Sequence, residues 1–272
     1  MTAPHVATVN GIRIAYRLAG ATSAPTVVLH HPLATNMSSW DEATEALLAR
    51  GYRVLRLDAR GHGASDAPAG PYAFETLAAD VVALMDHVGI EKARFVGLSM
   101  GGMVGQYLGL IAPHRFSCLS LVSTTSAVPQ AAKPMWDERI ATVRAGGMGA
   151  AVDGALARWV SDEARSSRPD LVARLARMIE TTPLEGYIGW CSAISALDVT
   201  ERLSTIDLPV QVVVGALDPA TPPAAAEVIH RRIRGSEYAE LARLSHMLQL
   251  EDPAAFHAVL VPFLDAHGPA AG

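Results

Sequence analysis

Ser99 stands in Gly97-Leu98-Ser99-Met100-Gly101-Gly102, after the run Ala93-Arg94-Phe95-Val96 and before an uncharged stretch from Met103 to Ala112. The pattern reads as strand, sharp turn and helix, with the hydroxyl at the apex. A serine nucleophile there needs neighbours without bulk, because the turn is strained and brings the strand close to the helix. Gly97 and Gly101 meet that need. The helix start also leaves backbone N–H groups unpaired near the hydroxyl, where negative charge develops during acyl transfer. Without partners, the same segment is only a glycine-rich turn that contains a serine.

Partners follow in a telling order. Asp218 comes just past the buried-strand pattern Val212-Val213-Val214-Gly215, and His246 follows the short apolar segment around Leu241 and Leu244. Taken singly, Asp218 reads as a turn or cap residue and His246 as a loop histidine. Together with the elbow they read as a Ser-Asp-His set, each member at or beyond the C-terminal end of an expected strand, where parallel α/β sheets carry their sites. In that set His246 takes the proton of Ser99; an imidazole suits the task because its ordinary pKa of about 6.5 lies near neutrality. Asp218 orients the ring and stabilises the imidazolium without taking the proton. The backbone N–H of Met100, next after the nucleophile, is one expected oxyanion donor.

These residues need a sheet to hold them. Apolar runs predict strands near 6–10, 12–18, 26–30, 52–57, 93–98, 118–123, 210–216 and 237–242, with helical patterns between most of them. The alternation breaks from about Ser126 to Thr205, where helix follows helix. Residues 137–144 are amphipathic and stop at Gly146-Gly147; residues 169–179 begin with proline in the first turn, as helices tolerate. The division expected is a core of 1–125 and 206–268, a helical cap of 126–205 over the site, and a frayed tail of 269–272. Of the tryptophans in the cap, Trp136 and Trp190 are the expected pocket-lining residues, with anchoring of the cap on the core as the other reading. The glycine-rich turn Asp58-Ala59-Arg60-Gly61-His62-Gly63 is read as structural, its polar groups satisfying loop backbone behind the site.

Composition narrows the function. A chain of 272 residues can bury one large core, and a net charge of −5 with interspersed signs argues against a nucleic-acid surface. Cys118 and Cys191 fall in apolar contexts and read as small core residues rather than a disulfide. The uncharged stretch 95–112 is long enough for a membrane helix, but the glycines crowding Ser99 favour strand, elbow and helix. No signal-peptide pattern opens the chain, so a cytoplasmic location is expected, with no membrane partner. His30 and His31 sit at an expected strand end, where adjacent side chains point to opposite faces, so no shared metal is expected; no cofactor is expected either. His31 is the histidine expected to line the pocket and meet a polar or anionic substrate group, with packing under the loop as the other reading.

These residues resemble those of the α/β-hydrolase superfamily over nearly the whole chain. More narrowly, the chain is similar to 3-oxoadipate enol-lactonases in Asp58-Ala59-Arg60-Gly61-His62-Gly63, the elbow 97–102, residues 139–148, Arg158-Trp159, segments 182–187 and 191–194, and 215–223. The resemblance implies a mostly parallel eight-stranded sheet flanked by helices, with a helical cap inserted between strands 6 and 7. It places the second oxyanion donor at Leu33, and implies that a carboxylate-bearing unsaturated γ-lactone is opened in the β-ketoadipate branch of aromatic catabolism. Arg139 is then the expected partner of that carboxylate, with a solvated place on a helix face as the other reading. The chain departs from the family at His30-His31-Pro32-Leu33-Ala34, where a small polar Ser/Asn-Ser-Leu-Gly pattern is usual, and at Met247-Leu248-Gln249-Leu250, where the family tends toward Ser-Asn. Both departures predict a bulkier or less polar pocket. Four readings stay open: a lactonase; a carboxylesterase with or without perhydrolase activity; a carbon–carbon bond hydrolase of meta-cleavage products; and a ligand-binding receptor on the same fold. In each the partner is a small molecule, an ester or lactone in the first two, and the protein is a monomer or a homodimer.

Overall fold

The computed structural model describes residues 3–268; the expected frayed tail 269–272 lies outside them. Eight strands, β1 (His5–Val9), β2 (Ile12–Ala19), β3 (Thr26–His30), β4 (Arg53–Leu57), β5 (Ala93–Leu98), β6 (Phe116–Val122), β7 (Val210–Gly215) and β8 (Glu237–Leu241), form one sheet in the order β1-β2-β4-β3-β5-β6-β7-β8. β1–β2 and β2–β4 pair antiparallel, and every other neighbour is parallel. The first hairpin turns on Asn10 and Gly11, both at positive φ (47° and 78°), as a tight two-residue hairpin requires. β3, β5 and β7 are buried at every residue, which explains their unbroken apolar runs: helices cover both faces.

Those helices are α1 (Asp41–Ala49), α2 (Phe74–His87), α3 (Met100–Ile111), α9 (Pro223–Arg232), α10 (Leu248–Glu251) and α11 (Pro253–Ala266), while α4 (Lys133–Gly146), α5 (Val152–Trp159), α6 (Asp162–Ser167), α7 (Pro169–Glu180) and α8 (Leu184–Ser195) fall between β6 and β7. Gly147 caps the end of α4, at a φ of 70° that suits glycine. α7 starts on Pro169 and buries Leu171, Leu175, Met178 and Ile179 along one face. The uncharged stretch 95–112 divides into β5, Ser99 and α3, and no described helix is long and apolar enough to cross a membrane.

The topology positions the site. After β3 the chain crosses to β4 on one side; after β4 it returns to β5 on the other side of β3. Strand order reverses there, and the crevice beyond the carboxyl ends of β3 and β5 is where open α/β sheets bind ligands. The loop carrying Leu33 leaves β3 at this point, and Ser99 follows β5.

Helix α8 docks closely on the loop after β4. Trp190 is fully buried and its indole N–H donates to the Arg60 carbonyl at 2.7 Å. A Cβ on Gly186 would collide with the backbone of Gly61, so glycine at both positions permits the approach. Trp190 therefore anchors this helix on the core and does not line the cavity described below, contrary to its expected role. Its edge-on contacts with His30, His62, Tyr72 and Phe74 leave no face for a ligand.

Candidate active site

Ser99 has φ 56° and ψ −112°, a conformation costly for a residue with a Cβ. The surroundings enforce it. Its N–H donates to the Val122 carbonyl (2.8 Å), and its carbonyl accepts from Met103 N (2.9 Å) and Thr124 Oγ1 (2.8 Å). A Cβ on Gly97 would run into the Gly101 carbonyl, and one on Gly101 into the His30 carbonyl. The glycines are thus dictated by three backbones meeting at the elbow. Met100 is the first residue of α3, so its N–H has no acceptor within the helix.

The loops after β7 and β8 join Asp218 to His246. A Cβ on Gly215 would strike the carbonyls of Leu244 and Ser245, and Leu217 N donates to Leu244 O at 2.9 Å. His246 Nδ1 then lies 2.8 Å from Asp218 Oδ2, with both side chains buried. The carboxylate is saturated: Oδ2 also accepts from Thr221 Oγ1 (2.9 Å), and Oδ1 from Ala220 N (2.8 Å) and Thr221 N (3.0 Å). Burial alone would raise the carboxyl pKa, but the neighbouring His246 and the Thr221 hydrogen bonds outweigh it and hold it below the ordinary value. An ionised Asp218 keeps the ring proton on Nδ1 and leaves Nε2 free to accept, the arrangement of a general base.

Ser99 and His246 line one cavity of about 490 Å³, without a direct hydrogen bond between them among the described residues. Such bonds tighten with substrate in many enzymes. Leu33 borders the cavity beside Ser99. The lining also includes Trp136 and Arg139 of α4, Arg158 and Trp159 of α5, and Tyr187 of α8. Arg139 lies 4.4 Å from the Trp136 ring centroid. Arg158 Nε is buried without a hydrogen-bond partner, and burial followed by the Arg139 charge lowers its pKa. Neither arginine forms an ion pair with an acidic side chain among the described residues.

Residues 25–253 match the model of the alpha/beta hydrolase fold family. The chain belongs to that family. A 3-oxoadipate enol-lactonase from Acinetobacter baylyi is 34% identical over 253 residues, 93% of each chain. The crystal structure of the enol-lactonase from Burkholderia xenovorans LB400 superposes with a TM-score of 0.92 at 36% identity, covering 96% of this chain and all of that one. A thermophilic esterase from Thermogutta terrifontis, solved with malate bound, is 25% identical with a TM-score of 0.89 over 98% of this chain and 99% of that one.

Within this α/β hydrolase several expectations need correction. His31 is fully buried and faces away from the cavity: its Nδ1 meets Pro32 O at 2.8 Å and its Nε2 accepts from Ala59 N at 3.0 Å. His30 and His31 do not point to opposite faces; β3 ends at His30, the chain turns, and the rings stack at 5.5 Å. Of the two departures from the family pattern only the first touches the cavity: Leu33 and Ala34 line it, Ala34 with a methyl where the family has glycine, and of 247–250 none does. Sequence reasoning missed Thr221, Trp159, Arg158 and Tyr187. Thr221 had a local signal, a hydroxyl three residues past Asp218 in a turn. Trp159, whose ring lies nearly parallel to His246 at 6.4 Å, had none, because its partner is 87 positions away.

Proposed function

We propose that this α/β hydrolase opens a carboxylate-bearing lactone of the 3-oxoadipate enol-lactone type by nucleophilic catalysis at Ser99. The observation that carries the reading is one cavity lined both by Ser99 and His246 and by two arginines that have no acid partner among the described residues. Two half-buried cations lining a mainly apolar space favour a ligand that brings its own anion. A neutral ester would leave Arg158 Nε unpaired. The enol-lactonase relatives support the lactone as the electrophile, and an esterase relative with malate bound shows that a related fold can hold a carboxylate ligand.

In the mechanism, His246 Nε2 takes the Ser99 proton as Oγ attacks the lactone carbonyl carbon. The tetrahedral oxyanion receives hydrogen bonds from the N–H groups of Leu33 and Met100. The ring acyl–oxygen bond then breaks, and the imidazolium returns the proton to the departing enol oxygen, which tautomerises to the ketone. Water, deprotonated by His246, attacks the acyl-enzyme; the second tetrahedral species collapses, Ser99 regains its proton, and the keto-diacid leaves. Asp218 stays ionised throughout. Residues 126–205 act as the cap that excludes water, and 1–125 with 206–268 as the core.

The test follows the ultraviolet absorbance of freshly generated 3-oxoadipate enol-lactone, with Ser99→Ala as control. Turnover exceeding that on p-nitrophenyl acetate, lost in the variant, is expected. Turnover of the ester alone would assign the protein to the carboxylesterases, and an active Ser99→Ala enzyme would remove the nucleophile.

A further inference from the structure

The geometry points to His31 and His62 as positioning residues that aim the Leu33 N–H at the substrate oxyanion. The inference rests on the serine mechanism above. Leu33 sits between two constrained peptide groups. The Pro32 carbonyl and the Leu33 N–H belong to one planar trans unit, so fixing the carbonyl fixes the N–H in the opposite direction. That carbonyl accepts from His31 Nδ1 at 2.8 Å and Thr35 Oγ1 at 2.9 Å. The following peptide is held by Ala34 N, which donates to His62 Nε2 at 2.9 Å.

The second hold is needed because Ala34 has φ 54°, in the left-handed region where a Cβ costs about 1–2 kcal/mol. The ring chemistry is determined by its partners. Ala59 N donates to His31 Nε2, so the His31 proton is on Nδ1 and is given to Pro32 O. Ala34 N donates to His62 Nε2, so the His62 proton is on Nδ1, facing Arg60 O. Both rings are fully buried and 5.1 Å apart, and Trp190 closes His62 edge-on. Burial pushes the His62 pKa down to about 3 and that of His31 well below its ordinary value, so Nε2 remains an acceptor through the neutral range. Asp58 pins the far end of the loop through Met37 N at 2.7 Å. The turn 58–63, read from sequence as structural, thus acts on the oxyanion loop.

The experiment compares two pairs of variants. His62→Gln can place an oxygen acceptor near the Nε2 position; His62→Phe keeps a ring without one. His31→Asn can keep a donor near Nδ1; His31→Gln keeps only the distal acceptor. Each is measured for thermal midpoint, for kcat and KM on p-nitrophenyl acetate, and for inhibition by phenylboronic acid, whose tetrahedral adduct on Ser99 places an oxygen where the oxyanion develops. One oxyanion donor is worth about 10²–10³ in turnover, so misaiming it in His62→Phe should lower kcat roughly 10–100-fold. KM should stay within about threefold, the boronic acid should weaken in step with kcat, and His62→Gln should recover most of the loss. His31→Asn should outperform His31→Gln, which keeps the inference testable if His62→Phe does not fold. A folded His62→Phe with unchanged kcat, equal losses in the Gln and Phe variants, or unchanged boronic acid inhibition would overturn it while leaving the serine mechanism standing. Full activity in a parallel Ser99→Ala sample would overturn both.

Discussion

Replacing Asp218 by asparagine changes one atom and should reverse the His246 tautomer. The structure decides which way the amide faces. Oδ1 accepts two backbone N–H groups, Ala220 at 2.8 Å and Thr221 at 3.0 Å. Oδ2 faces His246 Nδ1 at 2.8 Å and the Thr221 hydroxyl, which can rotate to accept. Turning the NH2 toward the two amides would leave both donors buried and unpaired, at about 1–3 kcal/mol each. The amide oxygen therefore stays at Oδ1 and the NH2 donates to His246 Nδ1. That forces the ring proton onto Nε2, the atom that must accept from Ser99. The same change in a serine protease lowers kcat by about 10⁴. Here the expected loss is about 10³–10⁴ in kcat, or ~4–5.5 kcal/mol, with KM nearly unchanged. Steady-state kinetics on p-nitrophenyl acetate gives the loss, and nitrogen-15 spectra of His246 give the tautomer: protonated at Nδ1 in the native protein and at Nε2 in the variant. A variant keeping more than about a tenth of native kcat, with its ring proton moved to Nε2, would refute the base assignment.

Two further outcomes follow from the same geometry. Arg139→Met and Arg158→Met keep apolar stems but remove the cations; a charge-assisted hydrogen bond is worth about 1.5–3 kcal/mol, so kcat/KM on the enol-lactone should fall roughly 10–100-fold in each. The neutral p-nitrophenyl acetate should be nearly indifferent, and equal losses on both substrates would refute the anion-binding role. Glu251 accepts from Ser161 N, Ser161 Oγ and Ser245 N, and burial raises its carboxyl pKa. A raised carboxyl pKa means that the native state binds its proton more readily than the unfolded chain, so the charged form weakens folding near pH 7 and the penalty fades as pH falls through the raised pKa. Glu251→Gln should therefore match or exceed native stability at pH 7 in urea unfolding, with the gap closing on acidification; a gap that widens would show the wrong sign.

Legibility followed the range of the interactions. The elbow could be read because its constraints are local: a strand, a turn needing glycine on both sides, and a helix start within a dozen residues. Asp218 and His246 could be located by their place after apolar runs, although the zipper between their loops, Leu217 N to Leu244 O, joins segments 27 positions apart. The histidine expectation failed at one residue. Alternation holds only while a strand continues; β3 stops at His30, and the turn into Pro32 swings His31 alongside it. Trp136 reaches the cavity, but the reading of Trp190 failed, and Trp159 was missed, for a longer-range reason. Trp159 and Trp190 both lie on apolar helix faces, and only the packing of α5 over the β8 loop and of α8 over the β4 loop decides which ring meets His246 and which meets Arg60. Helical periodicity identifies the buried face but not what covers it.

The cavity joins groups from two separately built regions, and this has a consequence for substitution. Ser99, His246 and Leu33 are set by loops at the ends of β5, β8 and β3, whereas Arg139, Arg158 and Trp136 are set by α4 and α5. Changes in α4 should alter selectivity and leave the reacting groups in place. α5 differs, because its C-terminus is tied to the His246 loop: Met247 N donates to Trp159 O at 3.0 Å, and Glu251 bridges Ser161 to Ser245. Displacing α5 would move Arg158 and the ring lying on His246 together. Among the described residues α4 has no hydrogen bond to the His246 loop, and Met135 of α4 and Val228 of α9 border the cavity at 42% exposure each. Sites distant from one another usually add in their effects, and sites sharing partners do not. Arg139→Met combined with Ala34→Gly should therefore be additive in kcat/KM, whereas Arg158→Met combined with Glu251→Ala should not.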